Sequence, residues 1–231
     1  MQGELRVVQD VAGDFSALVV DAFERRAGDR GFSLAVSGGE TARSCYERLA
    51  VDAALAIDWW EVDVYWGDER CVPPDHPDSN QALVRRALLE RVGAANSVHP
   101  MICDEGTDSY QMKIGQLGRL DVVHLGLGPD GHTASLFPDS EGLDADPGRL
   151  VTFNADPYGH HPHRRMTLTF AGIARARLVV FTVSGASKAT AMRAVLDGED
   201  VPASRVRAER IVWLVDPAAM REVLPPTDAQ G

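Results

Sequence analysis

The feature that most constrains the fold is a regular alternation of apolar runs with segments of helical periodicity. Largely apolar runs of strand length occur at residues 32–36, 62–66, 120–125 and 178–183. Helices are predicted around and between them at residues 14–26, 41–50, 78–92, 107–117 and 186–196. Because buried parallel strands are apolar throughout, this pattern predicts an α/β fold whose mostly parallel sheet has helices on both faces.

The chain contains no internal repeat and no convincing linker. Its 231 residues fit one large domain, which we place at residues 1–222. Shorter strands are predicted at residues 5–8, 167–169 and 211–215. Residues 139–163 are predicted as a long surface loop, and residues 223–231 as a frayed C-terminal tail.

Four polar or glycine-rich loops follow predicted strands at the points where those strands end. They contain residues 37–39, 67–70, 128–132 and 184–188. In parallel sheets, ligands bind at the carboxyl ends of the strands, where such loops meet. One loop of this kind is ordinary, whereas four together favour a single shared binding site.

The third of these loops combines an anion-binding surface with a proton-transfer group. Gly128 and Gly131 let backbone amides approach a ligand, and His132 is a candidate acid or base near neutral pH. Asp130 is a candidate to orient a partner or to restrain the turn. The glycines also match the dinucleotide pattern G-x-G-x-x-G, but Pro138 prevents the long helix that this pattern needs. We therefore predict a catalytic turn at this position.

Two of the other loops supply candidate contacts for an anion. The amides of Ser37, Gly38 and Gly39 precede a predicted helix, and amides at a helix N-terminus suit a phosphate group. Arg70 is a candidate for phosphate binding or for stabilising an oxyanion. Asp68 is a candidate to orient that arginine.

Two further cations are candidates for the same anion. Lys188 lies at the start of a predicted helix, which is unfavourable for a cation without an anionic partner. Arg165 belongs to a polar run before a predicted strand. The net charge of −11 argues against binding to nucleic acid or to an anionic membrane. A local cluster of cations can still bind a small anionic substrate.

The three cysteines suggest a reducing compartment. Cys45, Cys71 and Cys103 are odd in number and widely spaced, so we predict reduced thiols and no disulfide. Cys71 adjoins Arg70 and is a candidate activated thiol, although a bystander role is favoured. The N-terminal residues show no signal-peptide pattern, and no apolar run reaches the roughly 18 residues of a membrane span. The expected location is therefore the cytoplasm.

Three histidines in the long loop raise the question of a metal site. His160, His161 and His163 have no carboxylate or cysteine pair at ligand spacing in the sequence. We therefore expect no metal site.

Four motifs together resemble the 6-phosphogluconolactonase family. They are GPDGHTASLFP at residues 128–138, GDERCVPPDHPDSN at 67–80, RMTLT at 165–169 and the SGG turn at 37–39. The resemblance extends roughly over residues 33–217. It implies a Rossmann-like fold related to glucosamine-6-phosphate deaminase and ribose-5-phosphate isomerase. It also implies a step of the oxidative pentose phosphate pathway that uses neither a metal nor an organic cofactor.

The implied reaction is hydrolysis of 6-phospho-D-glucono-1,5-lactone to 6-phospho-D-gluconate. His132 would take a proton from the water that attacks the carbonyl, and would return it to the departing ring oxygen. Arg70 is a candidate for stabilising the oxyanion. The phosphate would rest on the amides of the SGG turn, with help from Arg165 and Lys188.

One position departs from the family pattern. The family continues Gly-Gly with Ser or Thr, whereas here Glu40 follows Gly39. An inward-pointing Glu40 would repel a phosphate, and an outward-pointing one would only favour the helix N-terminus. The assignment of Thr41 depends on this orientation. Thr41, Asp68 and Gly131 are the remaining implied substrate contacts.

Two other functions stay open at this point. One is a sugar-phosphate isomerase or deaminase of the same fold, although residues 133–138 lack the glutamate of the Ile-x-Phe-Asn-Glu-Pro run found in deaminases. The other is a non-catalytic sugar-phosphate sensor, which would bind its ligand without turnover. For every alternative the expected assembly is a monomer or a weak homo-oligomer.

Overall fold

The computed structural model describes residues 1–26 and 31–223, in which strands and helices alternate. The strands are β1 (Glu4–Val7), β2 (Phe32–Val36), β3 (Val62–Trp66), β4 (Asp68–Arg70), β5 (Ser97–His99), β6 (Leu120–Gly126), β7 (Val151–Asn154), β8 (Arg165–Leu168), β9 (Ala176–Val183) and β10 (Arg210–Val215). The helices are α1 (Val11–Glu24), α2 (Glu40–Asp52), α3 (Asn80–Val84), α4 (Glu90–Val92), α5 (Gly106–Leu117), α6 (Phe170–Ile173), α7 (Ala189–Asp197) and α8 (Pro202–Arg205). A π-helical segment, Arg85–Leu89, joins α3 to α4. None of the helices in the described ranges has the length and apolarity needed to cross a membrane.

Seven of the strands form one parallel sheet in the order β1-β10-β9-β6-β2-β3-β5. The buried apolar side chains of the described residues form one continuous cluster around it. The predicted α/β class with a mostly parallel sheet is therefore confirmed. The single domain at residues 1–222 agrees with this core and stays a prediction. The predicted tail, apart from Val223, lies outside the described residues.

A second, three-stranded antiparallel sheet lies beside the end of β3. It has the order β4-β8-β7, and its register pairs Asp68 with Thr167 and Arg70 with Arg165. The sequence indicated only a short strand at residues 167–169, and it predicted loops where β4 and β7 occur. Those two loop predictions are wrong, because strands of three or four residues are too short to show a periodic pattern. The small sheet matters for function because it makes two distant arginines direct neighbours.

The helix starts follow from side-chain caps. The side chain of Asp10 accepts the backbone N–H of Gly13 at 2.9 Å, so α1 begins three residues before the predicted helix. Ser79 accepts the backbone N–H of Ala82 at 3.1 Å and caps α3. A serine side chain is one of the preferred acceptors at this position, because it satisfies a backbone N–H that the first helical turn leaves unpaired.

The prediction of three reduced cysteines is wrong for two of them. Cys71 and Cys103 form a disulfide with a Cα–Cα distance of 5.5 Å, whereas Cys45 is free and buried. No local pattern in the sequence indicates this bond, because it depends on the pairing of β3 with β5. The chain leaving β5 passes the chain leaving β3, which brings together two cysteines that are 32 positions apart. Cys71 is therefore not an activated thiol.

A buried polar chain fixes the carboxyl end of β2 to the centre of the sheet. The Tyr46 hydroxyl accepts the backbone N–H of Ser37 at 2.6 Å and lies 2.8 Å from Nδ1 of His124. The other ring nitrogen of His124 lies 2.8 Å from the Thr182 hydroxyl. Burial lowers the pKa of His124 to about 3, so its ring is neutral at neutral pH.

A second tyrosine does the same for the neighbouring strand. The Tyr110 hydroxyl accepts the backbone N–H of Trp66 at 2.7 Å and donates to its carbonyl oxygen at 3.0 Å. Parallel strands leave unpaired backbone groups at their ends, and buried groups of this kind need partners. The two tyrosines therefore hold in place the points from which two site loops depart.

Burial of neutral His124 should make the fold sensitive to acid. Its pKa is lowered from 6.5 to about 3 in the fold, so the unfolded chain binds an extra proton between these values. The free energy of unfolding should then fall as the pH falls below 6.5, by up to about 1.4 kcal/mol per pH unit from this group. His124→Asn, which cannot be protonated, should show a shallower slope in urea unfolding between pH 6.5 and 4.5. An NMR titration of folded protein in which the His124 ring protonates near pH 6.5 would contradict the assignment.

The disulfide should stabilise the fold by closing a long loop. Removing it in Cys71→Ala/Cys103→Ala should lower the free energy of unfolding by about 2–4 kcal/mol, because the unfolded chain regains freedom. Dithiothreitol should produce the same loss in the unmodified protein and no further loss in the double variant. An equal effect of the reductant on both proteins would show that another process is responsible.

Candidate active site

A cleft of about 210 Å³ opens at the carboxyl ends of the central strands. Eight predicted site residues line it: Ser37, Gly38, Gly39, Asp68, Arg70, His132, Arg165 and Lys188. Asn80, His161 and Ala134 line it as well. The four predicted loops therefore meet around one space.

The histidine of the cleft is held by a carboxylate. Nδ1 of His132 lies 2.6 Å from Oδ1 of Asp130, which also accepts the backbone N–H of His132 at 3.1 Å. Burial opposes the ionisation of Asp130, but its hydrogen bonds and charge interaction with His132 outweigh burial and lower the pKa of Asp130 to about 2. In neutral His132 the ionised carboxylate holds the proton on Nδ1, which leaves Nε2 as a proton acceptor.

The glycines of this turn are explained by the same pair. A Cβ at Gly128 would lie 2.1 Å from Nδ1 of His132 and 2.5 Å from Oδ1 of Asp130. Gly131 has φ +84°, and a Cβ there would lie 2.7 Å from Cβ of Val201. Gly131 itself does not line the cleft. The glycine pattern thus serves the packing of the histidine turn, and residues 127–140 form turns without the helix that a dinucleotide site requires.

Aromatic rings surround the catalytic candidate. The ring centroids of Phe137 and His161 lie 4.9 and 4.8 Å from that of His132. Burial lowers the pKa of His161, and the positive charges of His132 and Arg165 lower it further. His161 is therefore neutral at neutral pH and forms one wall of the cleft.

Three partly or largely buried cations of the cleft have no acidic partner within the described part of the chain. Among the described residues, no carboxylate oxygen lies within ion-pair distance of Arg70, Arg165 or Lys188, although the chain carries a net charge of −11. Burial lowers the pKa of Arg165, the charge of Asp68 raises it, and the neighbouring charge of Arg70 lowers it again. Unpaired cations that repel each other in a cleft create a site for an anion.

Backbone carbonyls hold the two arginines in place. Arg70 donates from Nη1 to the carbonyl oxygen of Asp78, and Arg165 donates from Nε to that of His163 at 3.2 Å. Nε of Arg70 is buried and has no hydrogen-bond partner within the described structure. Neutral carbonyls orient the guanidinium groups without cancelling their charge.

The acidic residues beside Arg70 have structural partners. Oδ2 of Asp68 accepts a hydrogen bond from the Ser135 hydroxyl at 2.6 Å. The backbone carbonyl oxygen of Asp68 accepts one from Nδ2 of Asn80 at 2.8 Å. Glu69 accepts the backbone N–H groups of Asn80 and Gln81 at 2.8 and 2.7 Å. Asp68 therefore joins the small sheet to the histidine turn, and Glu69 caps the start of α3.

The SGG turn packs closely against Asn80. A Cβ at Gly38 would lie only 1.9 Å from Oδ1 of Asn80, and that oxygen is buried without a hydrogen-bond partner among the described residues. Gly39 has φ +98° and precedes the first turn of α2. Ser37, Gly38 and Gly39 line the cleft at this helix start, and binding of an anion by their amides stays a prediction.

The orientation of Glu40 answers the question raised by the sequence. Its side chain is 82% exposed and forms an ion pair with Arg43 on the same helix. Glu40 and Thr41 line a neighbouring depression with Ser44 and Asp216, and neither borders the cleft. The negative charge at position 40 therefore points away from the candidate phosphate site.

The sequence profile of the family described as glucosamine-6-phosphate isomerases/6-phosphogluconolactonase matches residues 4–213. The chain belongs to this family. A 6-phosphogluconolactonase of Synechocystis sp. is 36% identical over 212 residues, which cover 84% of this chain and 85% of the relative.

Solved structures of relatives agree with the fold. The crystal structure of 6-phosphogluconolactonase from Thermotoga maritima has a TM-score of 0.81 at 29% identity and covers 93% of this chain and 100% of its own. A monomeric glucosamine-6-phosphate deaminase has a TM-score of 0.78 at 18% identity, with coverage of 94% and 100%. The second likeness shows only that the fold is shared within the family.

Sequence reasoning gave no role in the cleft to Asn80 or His161, both of which line it. Asn80 stands at the end of the motif at residues 67–80, but nothing in its type indicated that it packs on Gly38. His161 was considered only as a metal ligand, whereas it lies beside His132. A contact between distant segments leaves no signal in a single sequence.

Proposed function

We propose that the chain hydrolyses 6-phospho-D-glucono-1,5-lactone to 6-phospho-D-gluconate, as a hydrolase of the oxidative pentose phosphate pathway. One observation carries the proposal. The same cleft holds His132, whose ring is fixed by Asp130, and the arginines 70 and 165, which have no ion-pair partner in the described structure. The first pair suits proton transfer at a carbonyl, and the arginines suit a phosphorylated substrate. The names of the relatives agree with this assignment.

The chemistry begins with a water molecule beside Nε2 of His132. His132 takes a proton from this water as the oxygen attacks the lactone carbonyl, and a tetrahedral oxyanion forms. The oxyanion then collapses and breaks the bond between the carbonyl carbon and the ring oxygen. Protonated His132 returns its proton to that ring oxygen, which becomes the hydroxyl of the open-chain product. Asp130 stabilises the imidazolium between the two transfers.

The phosphate occupies the side of the cleft where the arginines meet. Arg70 and Arg165 are cross-strand partners, and a phosphate dianion between them replaces their mutual repulsion with attraction. The amides of Gly38 and Gly39 border the same space. Binding the phosphate at a distance from the carbonyl positions the lactone for attack.

Lys188 lines the same cleft as His132. Burial lowers the pKa of Lys188, and the charge of Asp130, which holds His132, acts in the opposite direction. We assign Lys188 to stabilisation of the oxyanion. Arg70 is thereby assigned to the phosphate.

The location and assembly of the protein are part of the proposal. We propose a cytoplasmic monomer or weak homo-oligomer that acts on a small phosphorylated lactone without nucleic acid or membrane partners. The Cys71–Cys103 disulfide removes the argument from reduced thiols that first supported the cytoplasm. Trapping of thiols in cells, followed by mass spectrometry, would test the location through the state of this bond.

Loss of His132 should abolish the chemical step. His132→Ala should lower kcat by about 10²–10⁴-fold because the general base is gone, while product binding is largely retained. Asp130→Asn should lower kcat to a smaller extent. Lactone generated with glucose-6-phosphate dehydrogenase allows decay above the spontaneous background to be followed. Unaccelerated decay with unmodified protein, or ammonia release from glucosamine 6-phosphate, would reject the proposal.

Substitutions of Arg70, Arg165 and Lys188 should change KM or kcat according to the role of each cation. Arg70→Ala and Arg165→Ala should each raise KM by about ten- to a hundredfold, because each removes a charge-assisted contact to the phosphate. Lys188→Ala should mainly lower kcat. Arg164→Ala is the matched control, because Arg164 stacks on Phe153 and does not line the cleft. A fall in kcat alone for Arg70→Ala would move this arginine from the phosphate to the oxyanion.

A further inference from the structure

A cluster of metal-ligating side chains lies outside the cleft. Oδ2 of Asp78 lies 2.8 Å from Nε2 of His163 and 3.8 Å from Nδ1 of His76. One ligand atom from each of these residues can be chosen so that all lie within 4.8 Å of one another. The side chains are between 27% and 55% exposed, so an ion can reach them from solvent. None of the three residues lines the cleft.

The donor set selects the kind of metal. Two imidazole nitrogens and one carboxylate oxygen suit Zn²⁺ and related transition metals, whereas Mg²⁺ and Ca²⁺ prefer oxygen ligands. With bonds of about 2.1 Å, two ligands of a tetrahedral ion stand roughly 3.4 Å apart, close to the spacing that these atoms already have. We propose that His76, Asp78 and His163 form a binding site for Zn²⁺ or a similar divalent transition-metal ion, with solvent in the remaining position.

The backbone brings the ligands together without help from a metal. Two hydrogen bonds of 2.9 Å close the turn that carries His76. The His76 N–H donates to the Pro73 carbonyl, and the Ser79 N–H donates to the His76 carbonyl. The segment that carries His163 is joined to this turn by the Cys71 N–H, which donates to the Arg164 carbonyl at 2.8 Å. The site therefore costs little reorganisation when an ion binds.

Both histidines already contact Asp78. Nε2 of His163 forms a hydrogen bond with Oδ2 of Asp78 at 2.8 Å. Nδ1 of His76 accepts the backbone N–H of Asp78 at 3.1 Å, so this nitrogen is unprotonated, and a bound ion would replace that one hydrogen bond. An arriving ion would displace the proton that His163 shares with Asp78 and take both atoms as ligands.

The site is connected to the cleft through carbonyl groups. The carbonyl oxygen of Asp78 accepts Arg70, and that of His163 accepts Arg165. An ion bound by these two side chains would tie the anchor points of both arginines together. No local pattern indicates this arrangement, because Asp78 and His163 are 85 positions apart.

A second group of possible ligands complicates any metal titration. Asp130, His132 and His161 also lie close enough together to share an ion, and His132 and His161 line the cleft. The test must therefore report where the metal binds. His160 provides a matched control, because it belongs to the same loop as His163 but to neither cluster.

The experiment uses the full chain after EDTA treatment and desalting. Zn²⁺ binding is measured by calorimetry, and the ion is located by anomalous diffraction at the zinc edge. We expect a peak among the three residues and a rise in Tm with Zn²⁺ that Mg²⁺ does not produce. His163→Asn and His76→Asn should each weaken binding at this position by more than about tenfold, whereas His160→Asn should leave it unchanged.

Two results would overturn the proposal. One is the absence of an anomalous peak among His76, Asp78 and His163 when zinc is present. The other is a peak only in the cleft, with binding that is lost in His161→Asn and kept in His163→Asn. The variants are compared only where their Tm in EDTA matches that of the unmodified protein, so that a folding defect is not counted as lost binding.

Discussion

The whole site depends on how two strands end. The backbone of Ser37 at the end of β2 and of Trp66 at the end of β3 is held by the buried hydroxyls of Tyr46 and Tyr110. The loop from the first strand carries Gly38 and Gly39, which line the cleft, and the loop from the second leads into the strand that carries Arg70. Because each hydroxyl satisfies backbone groups that the sheet leaves unpaired, the loops start from fixed points in the core. The position of the cleft is therefore decided within the apolar interior.

The arginines of the cleft and the acidic side chains near them have different hydrogen-bond partners. The chain is acidic overall, yet the arginines of the cleft are oriented by carbonyl oxygens and not by carboxylates. Asp68 and Glu69, the acidic residues nearest to Arg70 in sequence, are occupied by Ser135 and by the start of α3. Glu40 is turned outward to Arg43. The cleft therefore keeps a positive potential although acidic side chains lie near it.

Features with a local signal could be predicted from the sequence, and features that depend on long-range strand pairing could not. The parallel strands and the convergence of four loops followed from apolar runs and strand ends, which are local signals. The neighbourhood of Arg70 and Arg165, the contact of Asn80 with Gly38 and the disulfide did not. Each of those depends on which short strand pairs with which, and strands of three or four residues carry too few side chains to specify a partner.

The disulfide gives the segment next to Arg70 an unusual covalent connectivity. Cys71 follows Arg70 directly, and its bond to Cys103 closes the intervening chain, including α3 and α4, into a ring. A backbone cut anywhere within that ring would open it without releasing either end. The two fragments would remain one covalent molecule, with Arg70 still attached to the segment that enters α5. While the disulfide is intact, a cut in the main chain between Cys71 and Cys103 therefore does not detach Arg70 from the rest of the protein.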